Sequence, residues 1–373
     1  MSARLPPDGT IALLIDSDGP GGAEQMILHL AEELRTRGHE ICPIGPARGC
    51  GWLAEQFQRR GFQPEVFHLR WPTDPGCVAS LVKVFRRRQV ALVHSHEFTM
   101  AVYGAAAARL VRRPHIITMH GGGYFAGAWR RRIALRWAAK RSHATITVSA
   151  TLRTDLAAAL RLTPTSFRVI RNGVPVCSGS PEAFRRELAI GPHESLVLAI
   201  GNLYPVKGHM VLLQAMKLLD GHSGLPPWHL AIAGRGDEER TLRSFAAAHG
   251  LADRLHLLGY RDDIVDLLAA ADVFALPSLS EGIPLALLEA MFAGKAIVAS
   301  AVGGVPEVVT EGREAILIPP SDPETLAAGL AQLLQDHEYR RSLGAAARQH
   351  ARQEFSLAAM VDRYETVYES ALS

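Results

Sequence analysis

The chain alternates between short runs of consecutive apolar residues and longer stretches in which apolar residues recur every three or four positions. Short apolar runs are typical of strands buried on both faces, and the longer period is typical of amphipathic helices. The first such pair occupies residues 10–15 and 23–37, and Gly38 ends the predicted helix. A strand followed by a helix, repeated along the chain, predicts parallel βαβ units.

The first half contains seven predicted strands, at 10–15, 40–44, 64–67, 91–94, 115–118, 144–148 and 167–170. Its predicted helices lie near 23–37, 52–60, 78–88, 100–110, 128–141 and 150–160. The second half restarts the alternation, with strands predicted near 195–200, 228–232, 254–257, 272–276, 296–299 and 314–318. Between the halves, the polar, proline-containing segment 174–181 is the predicted linker. The pattern therefore predicts an α/β chain with two Rossmann-like sheets.

Composition agrees with two folded domains. A chain of 373 residues exceeds one typical core, and 48% hydrophobic with 21% charged residues is ordinary for a soluble α/β protein. No apolar run approaches 18 residues and the N-terminus has no signal-peptide core, so we expect neither a transmembrane helix nor secretion. The four cysteines lack zinc spacing and indicate no disulfide framework, which favours a cytoplasmic location.

The two halves of the chain differ in formal charge. Residues 1–178 contain 24 Lys and Arg against 12 Asp and Glu, a formal charge of +12, whereas the remaining residues hold 16 against 25, or −9. A basic half suggests an anionic partner: a membrane surface, a phosphorylated acceptor or nucleic acid. The alternative is that these charges only keep the surface soluble.

Residues 276–306 are the most informative stretch. A short buried strand ends at Leu276, and Pro284 suits the first turn of a helix that Gly294 ends. A strand followed at once by a helix N-terminus is where α/β folds commonly hold a ligand.

The chemistry of this stretch indicates a sugar nucleotide. The N–H groups of Gly282, Ile283 and Leu285 are expected near the helix N-terminus, which attracts phosphate. Glu281 precedes the helix and Glu289 lies about two turns along it. Carboxylates repel phosphate, so we expect these two to accept hydrogen bonds from hydroxyl groups.

The pattern Ser-x-x-Glu-Gly-x-Pro-x-x-x-x-Glu, with Glu281 and Glu289 and the following segment 303–307, resembles the two-glutamate signature of retaining GT-B glycosyltransferases of family 4. This resemblance implies two Rossmann-like domains facing a cleft, with the C-terminal helix crossing back to the first domain. On that reading, residues 1–178 with 356–373 form the acceptor-side domain and 179–355 the nucleotide-sugar domain.

The resemblance also implies the activity. The expected enzyme is a hexosyltransferase-like, retaining glycosyltransferase that moves a sugar from a nucleotide-diphosphate sugar to a hydroxyl acceptor, in cell-envelope or polysaccharide biosynthesis. It needs no protein nucleophile and no metal, since a lysine and backbone amides stabilise the leaving diphosphate. We expect catalytic roles for His120, Glu281 and Lys207. The predicted donor-binding residues are Gly22, Asn202, Lys207, Gly282, Ile283, Pro284, Leu285 and Glu289.

Segment 201–208 resembles the family's diphosphate-binding segment. Lys207 is placed to reach a phosphate, and the alternative is an exposed lysine at a helix cap. The family commonly carries arginine where this chain has Asn202, so the N–H groups of one guanidinium are missing from the phosphate site. Arg235 is the candidate replacement cation.

Two segments of the first half resemble family site elements. The loop 21–24 resembles the glycine-rich loop, and the alternative is a tight strand–helix turn. His120 resembles the active-site histidine, and the alternative is a satisfied loop histidine. No GxGxxG occurs, which disfavours an NAD oxidoreductase.

Metal-like pairs also occur. Asp16 and Asp18 mimic a metal-binding DxD, and His94 and His96 share one face of a strand. The acidic pair lies at a strand end in a different architecture from the fold that uses a DxD, and the histidine pair has no indicated third ligand, so we expect no metal site.

The predicted helix 128–141 is strongly basic, with Arg130, Arg131 and Arg132 following Trp129. This pattern suits anionic lipid headgroups, and the alternative is an ordinary packed helix with solvated arginines. We therefore consider peripheral contact with the inner face of the membrane, an anionic or lipid-linked acceptor, and no nucleic acid.

Two rival functions remain open: a nucleotide-sugar epimerase of the same fold, and a nucleotide-sugar-binding protein without turnover. Products formed from a panel of donors separate the three. The sequence does not specify the nucleobase, the sugar, the acceptor or the oligomeric state.

Overall fold

The computed structural model describes residues 9–49, 51–121, 129–176, 178–220, 222 and 224–373. The chain forms two compact units: the first unit is Met1–Pro175 with Leu357–Ser373, and the second unit is Val176–Ser356.

The strands are β1 Thr10–Leu14, β2 Ile41–Pro46, β3 Glu65–Phe67, β4 Val90–His96, β5 His115–Met119, β6 Ala144–Thr147, β7 Arg168–Val169, β8 Ser195–Ile200, β9 Trp228–Ala233, β10 Leu255–Gly259, β11 Val273–Leu276, β12 Ala296–Ser300 and β13 Ile316–Ile318. The α-helices are α1 Gly22–Thr36, α2 Trp52–Arg59, α3 Pro75–Arg87, α4 Glu97–Val111, α5 Trp129–Arg141, α6 Ala150–Leu160, α7 Pro181–Glu187, α8 His209–Leu219, α9 Glu239–Ala248, α10 Ile264–Ala270, α11 Leu285–Phe292, α12 Pro323–Gln335, α13 His337–Glu354 and α14 Leu357–Leu372.

Each unit contains one parallel sheet with the same internal order. The first sheet has seven strands in the order β3-β2-β1-β4-β5-β6-β7, and the second has six in the order β10-β9-β8-β11-β12-β13. All strand pairs are parallel. The direction of winding reverses between β1 and β4 in one sheet and between β8 and β11 in the other. In doubly wound folds, ligands bind beyond the carboxyl ends of the strands at such a reversal.

Hydrophobic clusters cover the sheets. In the first unit, one cluster joins β1, β2 and β4 to α3 and α4, and another joins β5 to α4, α5 and α6. In the second unit, one large cluster joins the strands to α8, α9 and α12. Burial on both faces explains why the strands read as continuous apolar runs in the sequence.

The C-terminal helix α14 belongs to the first unit, as the family resemblance implied. Arg37 donates to Asp362 and Glu365 on α14, at 2.5 and 2.6 Å. Tyr368 lies fully buried, and its hydroxyl is 2.8 Å from Nδ1 of His94 on β4. Buried aromatic area with hydrogen-bonded polar atoms fixes the helix to the sheet.

The structure confirms every predicted strand, and the helix starts show the largest differences. We predicted α3 from residue 78, but it begins at Pro75 because the Asp74 side chain caps it by accepting from Gly76 N–H. We predicted α4 from residue 100, whereas it begins at Glu97, whose φ is +63°. Both misses concern polar residues at helix starts, where apolar periodicity carries no signal.

Across the described residues, no helix is both long enough and apolar enough to cross a membrane.

Candidate active site

In the second unit, loops at the carboxyl edge of the sheet touch through their backbones. Gly208, with φ +66°, follows the loop after β8, and a Cβ there would overlap the carbonyl oxygen of Pro277 after β11. Gly303, with φ +53°, lies after β12, and a Cβ there would overlap the carbonyl oxygen of Glu281. Only glycine permits these approaches, so the loops after β8, β11 and β12 form one continuous surface.

Lys207 and Glu281 meet on this surface. The Nζ atom of Lys207 lies 2.7 Å from Oε1 of Glu281, and the hydroxyl of Ser278 donates to the same oxygen at 2.7 Å. The Glu281 side chain is only 7% exposed, whereas Lys207 is 28% exposed. A lysine has three donors and a carboxylate two acceptor oxygens, so each group keeps hydrogen-bonding capacity for a ligand.

The N-terminus of α11 begins beside this pair. Pro284 is the residue before the helix rather than part of its first turn, and it offers no side-chain cap. Leu285 is the first helical residue, so Gly282, Ile283 and Leu285 lie in sequence at this end, as predicted. The helix ends where Gly294 adopts φ +69°. The partial positive charge of a helix N-terminus adds to the lysine.

Glu289 lies on the second turn of α11 and is partly buried. Burial raises the pKa of its carboxyl from 4.5 to about 7. Within the described part of the chain, no hydrogen bond or ion pair to this carboxyl is found. A partly buried carboxyl without a protein partner is free to accept a hydrogen bond from a ligand hydroxyl.

The two other predicted polar residues of this unit lie on adjoining loops. Asn202 follows β8, and the next residue, Leu203, donates its N–H to the carbonyl of Arg235 at 2.9 Å. The Arg235 side chain is exposed. The backbone therefore brings the two loops together, while the role of Arg235 as a substitute cation stays a prediction.

In the first unit, the glycine-rich loop opens α1. Gly21 is the N-cap and Gly22 the first helical residue. A Cβ on Gly21 would overlap the carboxylate of Glu24, so the missing side chain makes room for that acid. Burial raises the pKa of Glu24, which also bonds Ser17. This helix N-terminus thus already has a carboxyl group beside it.

His120 follows β5 in a cluster of buried polar groups. Its Nε2 atom lies 3.0 Å from Nδ1 of His96, and its backbone N–H donates to Oε1 of Glu97 at 3.1 Å. Burial lowers the pKa of His120 to about 4, so the ring is neutral near pH 7 and acts through hydrogen bonds. Glu97 was not among the predicted site residues. Its sequence signal is its place three residues after the strand predicted at 91–94, next to the His94 and His96 pair.

One residue of each metal-like pair, His94 and Asp18, has other hydrogen-bond partners. Both ring nitrogens of His94 have partners, Tyr368 and Thr118, each at 2.8 Å. Asp18 accepts the N–H of Gly51 at 2.7 Å, at the start of α2. Among the described residues, no group of three or more His, Cys, Asp or Glu is placed to hold a metal ion. Metal-independence itself stays a prediction.

Helix α5 presents a basic, partly apolar surface. Arg130, Arg131 and Arg132 are exposed, and Trp129 and Ile133 are 61% and 59% exposed. Arg136 is different: it donates to the carbonyls of Leu160 and Arg161 at the end of α6. The candidate lipid-contact surface is therefore the N-terminal part of α5, residues 129–133.

A cavity of about 660 Å³ lies at the opposite, amino edge of the first sheet. Arg86, Arg112 and Arg113 line it, near the C-terminal ends of α3 and α4. Basic side chains complement the negative end of a helix dipole, which explains their presence without a ligand.

Comparison with known proteins identifies the family of the chain. The family model Glycosyltransferase Family 4 matches residues 20–176, and Glycosyl transferases group 1 matches residues 180–350. Alpha-maltose-1-phosphate synthase of Mycolicibacterium smegmatis is 31% identical over 78% of this chain and 81% of its own length. D-inositol 3-phosphate glycosyltransferase of Corynebacterium glutamicum is 30% identical over 81% of this chain and 78% of its own length.

Solved structures match the fold over nearly the whole chain. Anabaena HepE in complex with UDP-glucose has a TM-score of 0.85 at 24% identity, covering 97% of this chain and 99% of its own. Sucrose-phosphate synthase from Thermosynechococcus elongatus has a TM-score of 0.81 at 20% identity, covering 97% and 98%. Both likenesses indicate the two-domain GT-B fold. On the family matches and the identity to relatives covered over most of their length, the chain belongs to glycosyltransferase family 4 and is a glycosyltransferase.

Proposed function

We propose that this protein transfers a sugar from a nucleoside-diphosphate sugar to a hydroxyl acceptor with retention of configuration. The observation that carries the proposal is the Lys207–Glu281 pair at the winding reversal of the second sheet, next to the N-terminus of α11. A lysine and a helix N-terminus suit a diphosphate, and carboxyls suit sugar hydroxyls.

The donor class has support from the structural comparison. HepE was solved with UDP and with UDP-glucose. A uridine nucleotide sugar is therefore the first donor to test, although the fold match alone carries no base specificity.

The proposed reaction breaks the bond between the anomeric carbon and the diphosphate oxygen. A bond from the acceptor oxygen to the same face of that carbon replaces it, and the acceptor proton passes to the leaving phosphate oxygen. The charge that develops on the diphosphate is stabilised by Lys207 and the amides at residues 282–285, and one such donor is typically worth about 3–4 kcal/mol. Because His120 is neutral near pH 7, its role is to hydrogen-bond the sugar or the acceptor.

The ion pair sets a condition on catalysis. When the diphosphate binds, Lys207 must either keep one N–H hydrogen bond to Glu281 or replace that bond with one to the phosphate. Glu281 is almost fully buried, so a lysine that left it entirely would leave a buried charge without its partner. We therefore expect Lys207 to bridge Glu281 and the phosphate with two of its three N–H bonds.

An anionic or lipid-linked acceptor is the proposed acceptor class, reached by peripheral contact with an anionic membrane. Support comes from the exposed arginines and apolar side chains of residues 129–133 on α5. Each basic residue near such a surface is worth about 1 kcal/mol.

Product analysis with a panel of nucleotide sugars tests the proposal. Thermal shifts with nucleoside diphosphates first select the base, since a ligand of the native state raises its stability. A glycoside plus free nucleoside diphosphate, with the anomeric configuration of the donor by NMR, is the expected result. An inverted product refutes retention; an epimerised donor or an unchanged, bound donor supports the rival functions instead.

A further inference from the structure

Glu97 occupies an unusual position at the start of α4. It directly follows β4, has φ +63°, and its side chain reaches the end of β5, where Oε1 accepts the N–H of His120. The residue thus links the carboxyl ends of the adjacent strands β4 and β5, next to the winding reversal of the first sheet. One carboxyl oxygen is used to place His120.

The other carboxyl oxygen is unaccounted for. Glu97 is only 8% exposed, and Oε2 is buried without any hydrogen-bond partner among the described residues. Nε2 of His96, whose ring stacks on that of His120, is buried and unpartnered as well. Buried polar atoms are rarely left unpaired, and each such atom costs about 1–3 kcal/mol, so these two indicate a missing partner.

The surrounding charges select the kind of partner. Burial raises the pKa of Glu97 to about 8, and the charges that add to this rise belong to Asp16 and Glu24. An anion would meet the neighbouring acids Asp16 and Glu24 here. A hydroxyl group adds no charge, and by donating to the free oxygen it stabilises the ionised form of the Glu97 carboxyl, which burial disfavours.

We propose that Glu97, together with His120, forms a subsite for a hydroxyl group of a neutral polyol portion of the acceptor. This inference rests on the proposed function, since it places the acceptor on the first unit. It divides acceptor recognition in two: hydroxyl groups are held at this acidic edge, and any anionic group of the acceptor lies elsewhere.

The test compares Glu97→Gln and Glu97→Ala with the unaltered protein. Glutamine keeps an acceptor for the His120 N–H but replaces the free oxygen with an N–H₂ group. Glu55→Gln is the control, because Glu55 is an exposed acid paired with Arg59 on α2. The probes are methyl glucoside, methyl galactoside, methyl mannoside and myo-inositol, with glucose 6-phosphate as the anionic comparison, and binding is measured by saturation-transfer NMR.

We expect at least one neutral probe to bind more tightly than glucose 6-phosphate, and Glu97→Gln to weaken it about fivefold or more while the melting temperature stays near that of the control. Tighter binding of the sugar phosphate, binding by none of the probes, or unchanged neutral-probe affinity in both Glu97 variants overturns the inference. Thermal shifts with UDP and other nucleoside diphosphates, run on the same variants, report on the second unit alone. If the unaltered protein shows no thermal shift with any nucleoside diphosphate, the proposed function is contradicted. If the nucleotide shifts persist but the polyol test fails, only this inference is contradicted.

Discussion

The two sheets share one topology but carry opposite chemistry at the same place. At the carboxyl edge of the second sheet, Lys207 is paired with Glu281 beside a helix N-terminus. At the corresponding edge of the first sheet lie the buried acids Glu24 and Glu97 with the neutral His120. A shared strand order therefore fixes where ligands bind, while the loops fix what binds.

The comparison also separates domain charge from site charge. The first half carries +12, yet its candidate site is acidic, and the second half carries −9, yet its candidate site holds the lysine. The exposed cations of the first half instead include Arg130, Arg131 and Arg132 on α5. Net charge describes long-range attraction of a partner, and it does not predict the local chemistry of a site.

The largest effect is expected from removing the cation of the second unit. Lys207→Ala should lower turnover at least tenfold, because the leaving diphosphate loses its charge partner. Steady-state kinetics with the selected donor measure this, and Lys217→Ala, an exposed lysine of α8, is the control. Thermal unfolding is recorded in parallel, since Glu281 is left without its partner. A folded Lys207→Ala variant with normal turnover would show that the second site does not work through this charge.

Glu289→Ala tests whether the second site also recognises hydroxyls. Donor affinity should fall about tenfold, because a hydrogen bond to a charged group contributes about 1.5–3 kcal/mol, while folding changes little. Calorimetric titration with the donor and with the free nucleoside diphosphate makes the distinction. The loss should appear for the donor and not for the nucleotide; an equal loss for both, or none, contradicts a sugar contact.

The raised pKa of Glu289 gives a smaller, pH-dependent effect. Its pKa is about 7 in the folded protein against 4.5 as reference, so the native state binds more protons between these values and stability falls as pH rises through that window. Glu289→Gln should remove this loss. The advantage of the variant over the unaltered protein in free energy of unfolding should therefore be larger at pH 8 than at pH 4.5, by about 1 kcal/mol or more. Denaturant unfolding at both pH values measures it. A variant whose stability advantage is the same at both values refutes the shift.

Charge reversal on α5 tests the separation of domain charge from site charge in the first unit. Replacing Arg130, Arg131 and Arg132 with glutamate should reduce sedimentation with anionic vesicles severalfold, and high salt should do the same to the unaltered protein. Donor binding should not change. Equal sedimentation with neutral and anionic vesicles would leave a soluble acceptor as the better reading.

The smallest expected effect is that of chelation. Activity should survive EDTA, because Lys207 and helix amides neutralise the diphosphate, and Asp18 is occupied at the start of α2. Loss of activity that magnesium or manganese restores would instead support Asp16 and Asp18 as a metal-binding pair.

The sequence by itself determined the two sheets, because parallel strands buried on both faces consist of consecutive apolar residues, and amphipathic helices separate them. It also determined the stretch around Glu281, since proline and glycine mark the ends of α11 locally. The strand order was not readable in this way, because it depends on which strands pair across long crossovers.

Tertiary structure alone decided the partners. Lys207 and Glu281 are 74 residues apart, and they meet because Gly208 lets the loop after β8 approach Pro277. Glu97 was missed because nothing in its local pattern shows that its carboxyl reaches the His120 amide, just beyond another strand. The charge of the first half was likewise misleading as a guide to its site, since burial and pairing, rather than composition, set the state of each ionisable group.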